Sequence, residues 1–400
     1  MKVERFSLNN GVRVVYLNLP IESVSLVVSV GVGYRDEDSS SLGVSHLLEH
    51  LVFDGSRSYP TEFEFSEAAE NLGGEINGTT EEYLTSFEIK SSKENFLEAA
   101  KIISELVQYP LFLKENFEKE KKVIKAEMVS RRDFFKKNPV KTVLYGYLDG
   151  FDEMDYLNRE IKNIDSLKEE QVLKHFNENY HPKNMVLGVV GNIEDLKENL
   201  EKFFDKNNTS NKARVIPKFN FPSPKVERIS DTEEVKSIFF TWFGPGMFES
   251  ERAVFDICAK IISKGENGVV KAIRFDEGLA YEVDAFLNDD EQKGVFIVSV
   301  KTNSEHMDRV EGIVKEKVFA VKNVSEKEVE AAKKSVLAEE ILKTEDYLDD
   351  AREISNFELY NKPTPFEGYI EELRKVTAND IKKFAEKYLN ENFVLITSKK

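Results

Sequence analysis

A repeat restricts the fold of this chain more than any other feature. Glycine, strand, long helix and Glu-Lys-Glu helix start occur at Gly73, Tyr83–Ile89, Lys93–Val107 and Glu118-Lys119-Glu120. They recur at Gly278, Val295–Lys301, Asp308–Val318 and Glu326-Lys327-Glu328. Gly73 to Gly278 is a shift of 205 and Glu118 to Glu326 one of 208. A near-constant offset argues for two copies of one unit, each roughly 200 residues. The fold class this predicts is α+β: two homologous domains, each a mostly antiparallel sheet with helices packed on it. Residues 206–225 are polar, with Pro217, Pro222 and Pro224, and read as a linker. The expected boundaries are therefore 1–205, 206–225 and 226–400.

Composition narrows the partners. With 40% hydrophobic and 32% charged residues the chain is globular rather than disordered. A net charge of −17 argues against nucleic acid; it suits cationic or peptide ligands if the acids gather at a site, or it is a solvated face. The single cysteine, Cys258, excludes an internal disulfide and fits a reducing compartment. Its setting, Val254–Ala259, reads as a buried helix. No apolar leader opens the sequence and no run of about 18 apolar residues follows, so the expectation is a cytoplasmic protein without membrane contact.

Within the first copy, His46 and His50 are four apart with Glu49 between them, in Gly43-Val44-Ser45-His46-Leu47-Leu48-Glu49-His50-Leu51. On a helix, positions i and i+4 share a face, so two imidazoles could approach one metal ion with a carboxylate beside it. This H-x-x-E-H order reverses H-E-x-x-H. The competing reading is a pair of surface histidines. Upstream, alternation predicts strands over 3–19 and 23–32. Thr61 with Glu64 reads as a capping box.

Gly73-Gly74-Glu75-Ile76-Asn77-Gly78-Thr79-Thr80 reads as a glycine-punctuated strand. Its glycines mark either a bulge or the close approach of another backbone. In the helix Phe117–Arg132, Glu120 and Glu127 are two turns apart and point the same way. Val123, Ile124 and Met128 put much of that helix against a core, where a carboxylate needs a partner. A divalent cation is one such partner and a local lysine is another. His175 and His181 read as ordinary surface or loop histidines, and Asn192 as the cap of a helix ending near Phe204. In the second copy, Glu127 shifts onto Ser335 and His46–His50 onto Val254–Cys258. The repeats therefore share a fold but not a histidine pair.

With these residues in hand, the sequence resembles the pitrilysin family, which includes mitochondrial processing peptidase, insulin-degrading enzyme and short bacterial relatives. GVSHLLEHLVFDGS looks like its metal helix, GGEINGTTEEY its substrate strand and FEKEKKVIKAEM its third-ligand helix. NYHPKNMVLGVVGN is similar to the strand closing the first domain, and Arg274–Tyr281 to the arginine–tyrosine element. The resemblance implies a zinc metalloendopeptidase with one Zn2+ per chain, held by His46, His50 and Glu127. It also implies Glu49 as general base and Glu120 as supporting carboxylate. Gly74 and Asn77 would lie at the substrate strand, and Arg274 and Tyr281 at the scissile region. Without it, Arg274 and Tyr281 read as a helix-end ion pair and a core aromatic. After the ligand helix the sequence YGYLDGFDEMDYLNRE departs from the family's His-Pro-rich stretch.

Longer members carry four such domains, so the resemblance also implies a homodimer, with Arg274 and Tyr281 serving the partner's metal in trans and an unfolded peptide as substrate. The alternative is a catalytically silent scaffold or peptide-presenting subunit of the same fold, which the family also contains.

Overall fold

The computed structural model describes residues 3–74, 76–210, 218–343 and 345–399. Two compact units emerge. Unit 1 is Met1–Arg131, Leu157–Ile216 and Lys343–Glu367; unit 2 is Arg132–Tyr156, Pro217–Leu342 and Gly368–Lys400.

Unit 1 carries β1 (Val3–Ser7), β2 (Arg13–Asn18), β3 (Ser23–Val30), β4 (Ile76–Thr80), β5 (Thr85–Ser92) and β6 (Met185–Gly191). Its sheet runs β1-β2-β6-β3-β5-β4. Only the β2–β6 pair is parallel. Its helices are α1 (Val44–Leu51), α2 (Glu62–Glu70), α3 (Phe96–Gln108), most of α4 (Lys114–Lys137), α6 (Glu153–Ile164), α7 (Glu169–Asn179), α8 (Leu196–Glu201) and α12 (Tyr347–Leu359). In unit 2, β7 (Lys225–Ile229), β8 (Lys236–Gly244), β9 (Ala280–Asp289), β10 (Gly294–Thr302) and β11 (Val394–Ser398) form a sheet ordered β7-β11-β8-β10-β9. There the parallel pair is β7–β11. Its helices are α5 (Pro139–Asp149), α9 (Arg252–Lys264), α10 (Met307–Ala320), α11 (Glu326–Lys343), α13 (Tyr369–Lys375) and α14 (Ala378–Tyr388).

From β2 onward the first sheet and from β7 the second follow one order, with the parallel pair in the same place. That is the predicted α+β duplication. The predicted linear boundary differs from the observed division, because each unit takes one helix from the other half of the sequence. On unit 1, α12 covers the sheet face built by Val15, Leu17, Val27, Val186 and Val190, through Ala351 and Ile354. Two polar contacts pin it: Arg352 reaches the buried Glu88 on β5 at 2.7 Å, and Ser355 Oγ meets Ser29 Oγ at 2.8 Å. On unit 2, α5 places Val140 and Leu144 against Phe239, Val295, Ile297 and Ile396. These helices start 208 residues apart, so they are equivalents exchanged between repeats. A sheet apolar on both faces needs a cover on each, and a boundary read from a proline-rich stretch cannot register who supplies it. Within 206–225, residues 211–217 lie outside those described.

Smaller expectations also shift. Residues 3–19 form two strands, β1 and β2, rather than one, because Gly11 turns the chain back on itself. Asp195, not Asn192, precedes α8, and Val123 faces outward. The predicted capping box at Thr61 and Glu64 is present. No helix among the described residues is long and apolar enough to cross a membrane.

Candidate metal centre

An eight-residue helix is marginal alone, and α1 is held by its surroundings. Val44, Leu47, Leu48 and Leu51 are buried in the unit 1 core, while His46 and His50 are half-buried on another face. Gly43 sits at the N-cap with φ of 87°, where a glycine has no side chain to offer the free N–H groups. Glu37 supplies what is missing. Its carboxylate accepts from Gly43 N and Ser45 N, both at 2.7 Å. Burial pushes Glu37 up to about 8, against the lowering effect of those two donors. Ser45 Oγ lies 3.1 Å from His175 Nε2 on α7.

The predicted surface histidines are thus corrected. His175 is buried and fixes α1, and His181 is buried as well, in the turn that leads from α7 into β6.

The two imidazoles meet edge to face, with ring centroids 5.0 Å apart. From α4, Glu127 Oε2 lies 3.5 Å from His46 Nε2 and 3.8 Å from His50 Nε2. Glu120, one face with Glu127, is buried and places Oε2 3.1 Å from His50 Nδ1; its Oε1 is 3.4 Å from Lys119 Nζ. Glu49, His46 and His50 also bring donor atoms within 4.8 Å of one another.

Two carboxylates therefore stand near the rings. Glu127 is placed to share an ion with both Nε2 atoms. Glu49 is buried and accepts from Thr80 Oγ1 on β4 at 3.3 Å. Burial raises the Glu49 pKa above the ordinary carboxylate range, partly offset by His50 and the Thr80 hydrogen bond. His46 is pushed down to about 4, chiefly by burial and then by the charges of His50 and Arg131. A neutral imidazole is what a metal requires. A carboxylate on Nδ1 holds His50 in the tautomer whose Nε2 lone pair points toward Glu127. The donor set thus fits a divalent ion such as zinc.

Gly78 on β4 explains one of the sequence's glycines. A Cβ there would stand 2.7 Å from Glu49 Oε1, so the bare backbone makes room for that carboxylate. At Gly74 a Cβ would meet the Lys90 carbonyl at 1.7 Å, so its bareness answers to a neighbouring strand of its own sheet. Asn77 is exposed on β4, on the face opposite Gly78 and Thr80. Arg274 and Tyr281 lie in unit 2: Arg274 on a helical turn at Lys271–Asp276, Tyr281 at the start of β9, 65% exposed, with its hydroxyl 3.3 Å from Asn303 Oδ1. Among the described residues Arg274 makes no ion pair, and Tyr281 is not the core aromatic that the residues without the resemblance suggested. Glu37, Thr80 and His175 carried no sequence signal, since their spacing from the histidines follows no helix or strand period.

Residues 13–140 match the insulinase (peptidase family M16) family and residues 166–336 the peptidase M16 inactive domain. The chain belongs to the M16 peptidase family and carries both of these domains. It is 25% identical to the uncharacterized zinc protease YmxG of Bacillus subtilis over 98% of this chain and 97% of that one. It is 24% identical to the mitochondrial-processing peptidase subunit beta of Dictyostelium discoideum, over 98% and 87%. A protease from Helicobacter pylori superposes with a TM-score of 0.82 at 20% identity, covering 100% of this chain and 99% of that one. A peptidase M16 inactive domain from Pseudomonas fluorescens gives 0.84 at 18%, over 100% and 98%. At these identities the two structures establish the shared fold.

Proposed function

We propose that the protein is a zinc-dependent endopeptidase that cleaves unfolded peptides. One observation carries the reading: Glu127 Oε2 lies within 4 Å of both histidine Nε2 atoms while Glu49 stands beside them. His46, His50 and Glu127 would hold one zinc per chain, as the zinc protease names of the relatives suggest. Bound there, zinc would act as a Lewis acid and make water a nucleophile near neutral pH, at a pKa of roughly 7.

Glu49 takes the proton from the attacking water and delivers it to the leaving amine. Its raised pKa makes it the stronger base once ionised, and Thr80 and the space at Gly78 orient it. Glu120 keeps His50 in its metal-binding tautomer. Arg274 and Tyr281, both exposed, stabilise the oxyanion, a contribution of about 3–4 kcal/mol per donor. The substrate adds as a strand to β4, the edge of its sheet, where main-chain bonds give affinity with little regard to sequence. Gly74 and Asn77 border that edge.

Two units per chain favour a homodimer that encloses the peptide, with Arg274 and Tyr281 of one subunit serving the other's zinc. The lone buried cysteine suits a cytoplasmic setting. Mixing Glu49→Gln subunits with Arg274→Ala subunits tests the whole arrangement: each heterodimer regains one intact site, and cleavage of a quenched peptide returns. No recovery sinks the trans arrangement. The second reading, a silent presenting subunit, is favoured only by the inactive-domain match over residues 166–336, which lack the His46–His50 pair. Bound zinc without hydrolysis under any condition would establish it.

A further inference from the structure

A cavity of about 740 Å³ opens on unit 2 between the C-terminal half of α9, the turn at Val321–Asn323 and one face of α11. Its wall includes Glu328 and Ser335, which stand 208 residues beyond Glu120 and Glu127. The helix face that supplies the acids of the metal centre in the first repeat therefore lines a cavity in the second. Its volume is that of a small-molecule site, typically ~300–1,000 Å³.

The lining says what would enter. Ile261, Ile262, Val324 and Ala332 give it an aliphatic floor without aromatic rings. Around that floor stand four lysines and two glutamates, on a chain whose net charge is −17. Several of these charges are already committed. Lys260 pairs with Glu339, and Lys317 lies 3.5 Å from Glu316. Glu328 accepts from Ser325 N at 3.0 Å and Ser325 Oγ at 2.7 Å, closing the N-terminus of α11. Lys264 and Lys327 make no ion pair among the described residues, and neither does the exposed Glu266, so the uncommitted charge at the rim is two ammonium groups against one carboxylate. That excess of ammonium over carboxylate at the rim of an aliphatic floor favours an anion with an apolar body, which the lysines attract while a cation is repelled.

We infer that this cavity binds an aliphatic carboxylate, its chain on the floor and its carboxylate on Lys264 and Lys327. A free aliphatic acid and the C-terminal residue of a peptide present the same chemistry. The site is independent of the metal centre, so its test does not depend on the peptidase reading. Calorimetric titration of the full chain would use decanoate and an acetylated tetrapeptide ending in Val-Leu, as free acid and as amide, in chelator.

Saturable one-site binding of decanoate assigns the free acid, and binding of the free-acid peptide assigns a C-terminus. In either case Lys264→Glu/Lys327→Glu should weaken binding about tenfold, and Ala331→Phe, which intrudes on the cavity, should weaken it too. Unchanged circular dichroism shows that both variants fold. Equal binding of the amide, no saturable binding of either acid, or binding that vanishes in His50→Ala overturns the assignment.

Discussion

The two repeats share one strand order and differ in where their shifted carboxyl groups lie. Glu37, Asp54, Glu160 and Asp350, all in unit 1, are held protonated well above the ordinary carboxylate range, chiefly by burial. In unit 2, Glu227, Glu277, Glu282 and Glu328, none of them buried, are shifted downward, each first through a hydrogen-bonding neighbour, as Asp38 and Glu367 are in unit 1. Where unit 1 has His50, unit 2 has the buried Cys258, a thiol that burial keeps protonated. A fold that tolerates Val254, Ile257 and Cys258 at the positions of His46, Glu49 and His50 has no structural need for histidines and an acid there. Unit 1 keeps them at the cost of burying charge, and such concessions mark sites of chemistry.

The largest expected contrast is between equivalent positions. His50→Ala should abolish zinc retention and peptide cleavage, whereas Cys258→Ala should leave cleavage within about twofold, its cost falling on stability alone. Glu49→Gln should lower kcat by about 10²–10⁴ while zinc content, read by atomic absorption, stays at the wild-type level. Loss of zinc in Glu49→Gln would make Glu49 rather than Glu127 the third ligand and redraw the centre.

A smaller contrast turns on space. Gly78→Ala would place a methyl against the Glu49 carboxylate and the Phe53 ring, so kcat should fall about 10²-fold from displacement of the base. Phe286, 208 residues on, is 46% exposed on β9. Phe286→Ala should change stability by no more than ~0.5 kcal/mol.

These positions also show what sequence can and cannot disclose. The histidine pair was legible because helical spacing is a local property, and the duplication because an offset survives divergence. Glu120 and Glu127 were legible from spacing as a common face, while their place beside the histidines came only through the resemblance, since pairing across helices is set by packing. Glu37 was invisible for the same reason: a loop carboxylate capping a helix has no fixed distance in sequence from the N–H groups it serves. The helix exchange was hidden because α5 and α12 carry ordinary amphipathic patterns, which state that a face is covered and not which sheet covers it.

Next in size is the supporting carboxylate. Glu120→Gln keeps the shape but weakens the hold on the His50 tautomer, so zinc affinity against a competing chelator should fall about 10–100-fold. Glu328→Gln, its counterpart, should leave zinc untouched and weaken only the cap of α11, by about 1 kcal/mol. Equal effects of the two substitutions on zinc would mean that the repeats are coupled in a way their separate cores do not suggest.

The smallest effect is on pH dependence, and its sign is opposite to that of most acidic proteins. A carboxyl whose native pKa lies above its unfolded value binds its proton more tightly in the folded state. Its contribution is complete below the unfolded pKa and is lost as pH rises through the native one. With Glu37 at about 8 and Asp54, Glu160 and Asp350 at about 7, metal-free unit 1 should melt lower at pH 8.5 than at pH 5.5. Unit 2, whose shifted carboxylates are depressed, should hold or gain slightly over the same interval.

Asp350 isolates the effect, because it sits on α12, outside the metal centre. It is buried, with Oδ2 lacking a hydrogen-bond partner among the described residues, and its neighbours Glu353, Asp346 and Asp349 oppose its charge further. Asp350→Asn preserves the shape and removes the charge. It should raise the unit 1 melting temperature at pH 8.5 by on the order of 5 °C and by less at pH 5.5, which lies between the unfolded and native values, read by calorimetry in chelator. A melting temperature that drops at both pH values would mean that the Asp350 carboxylate has a partner in solution and that unit 1 does not carry the burden of buried charge assigned to it.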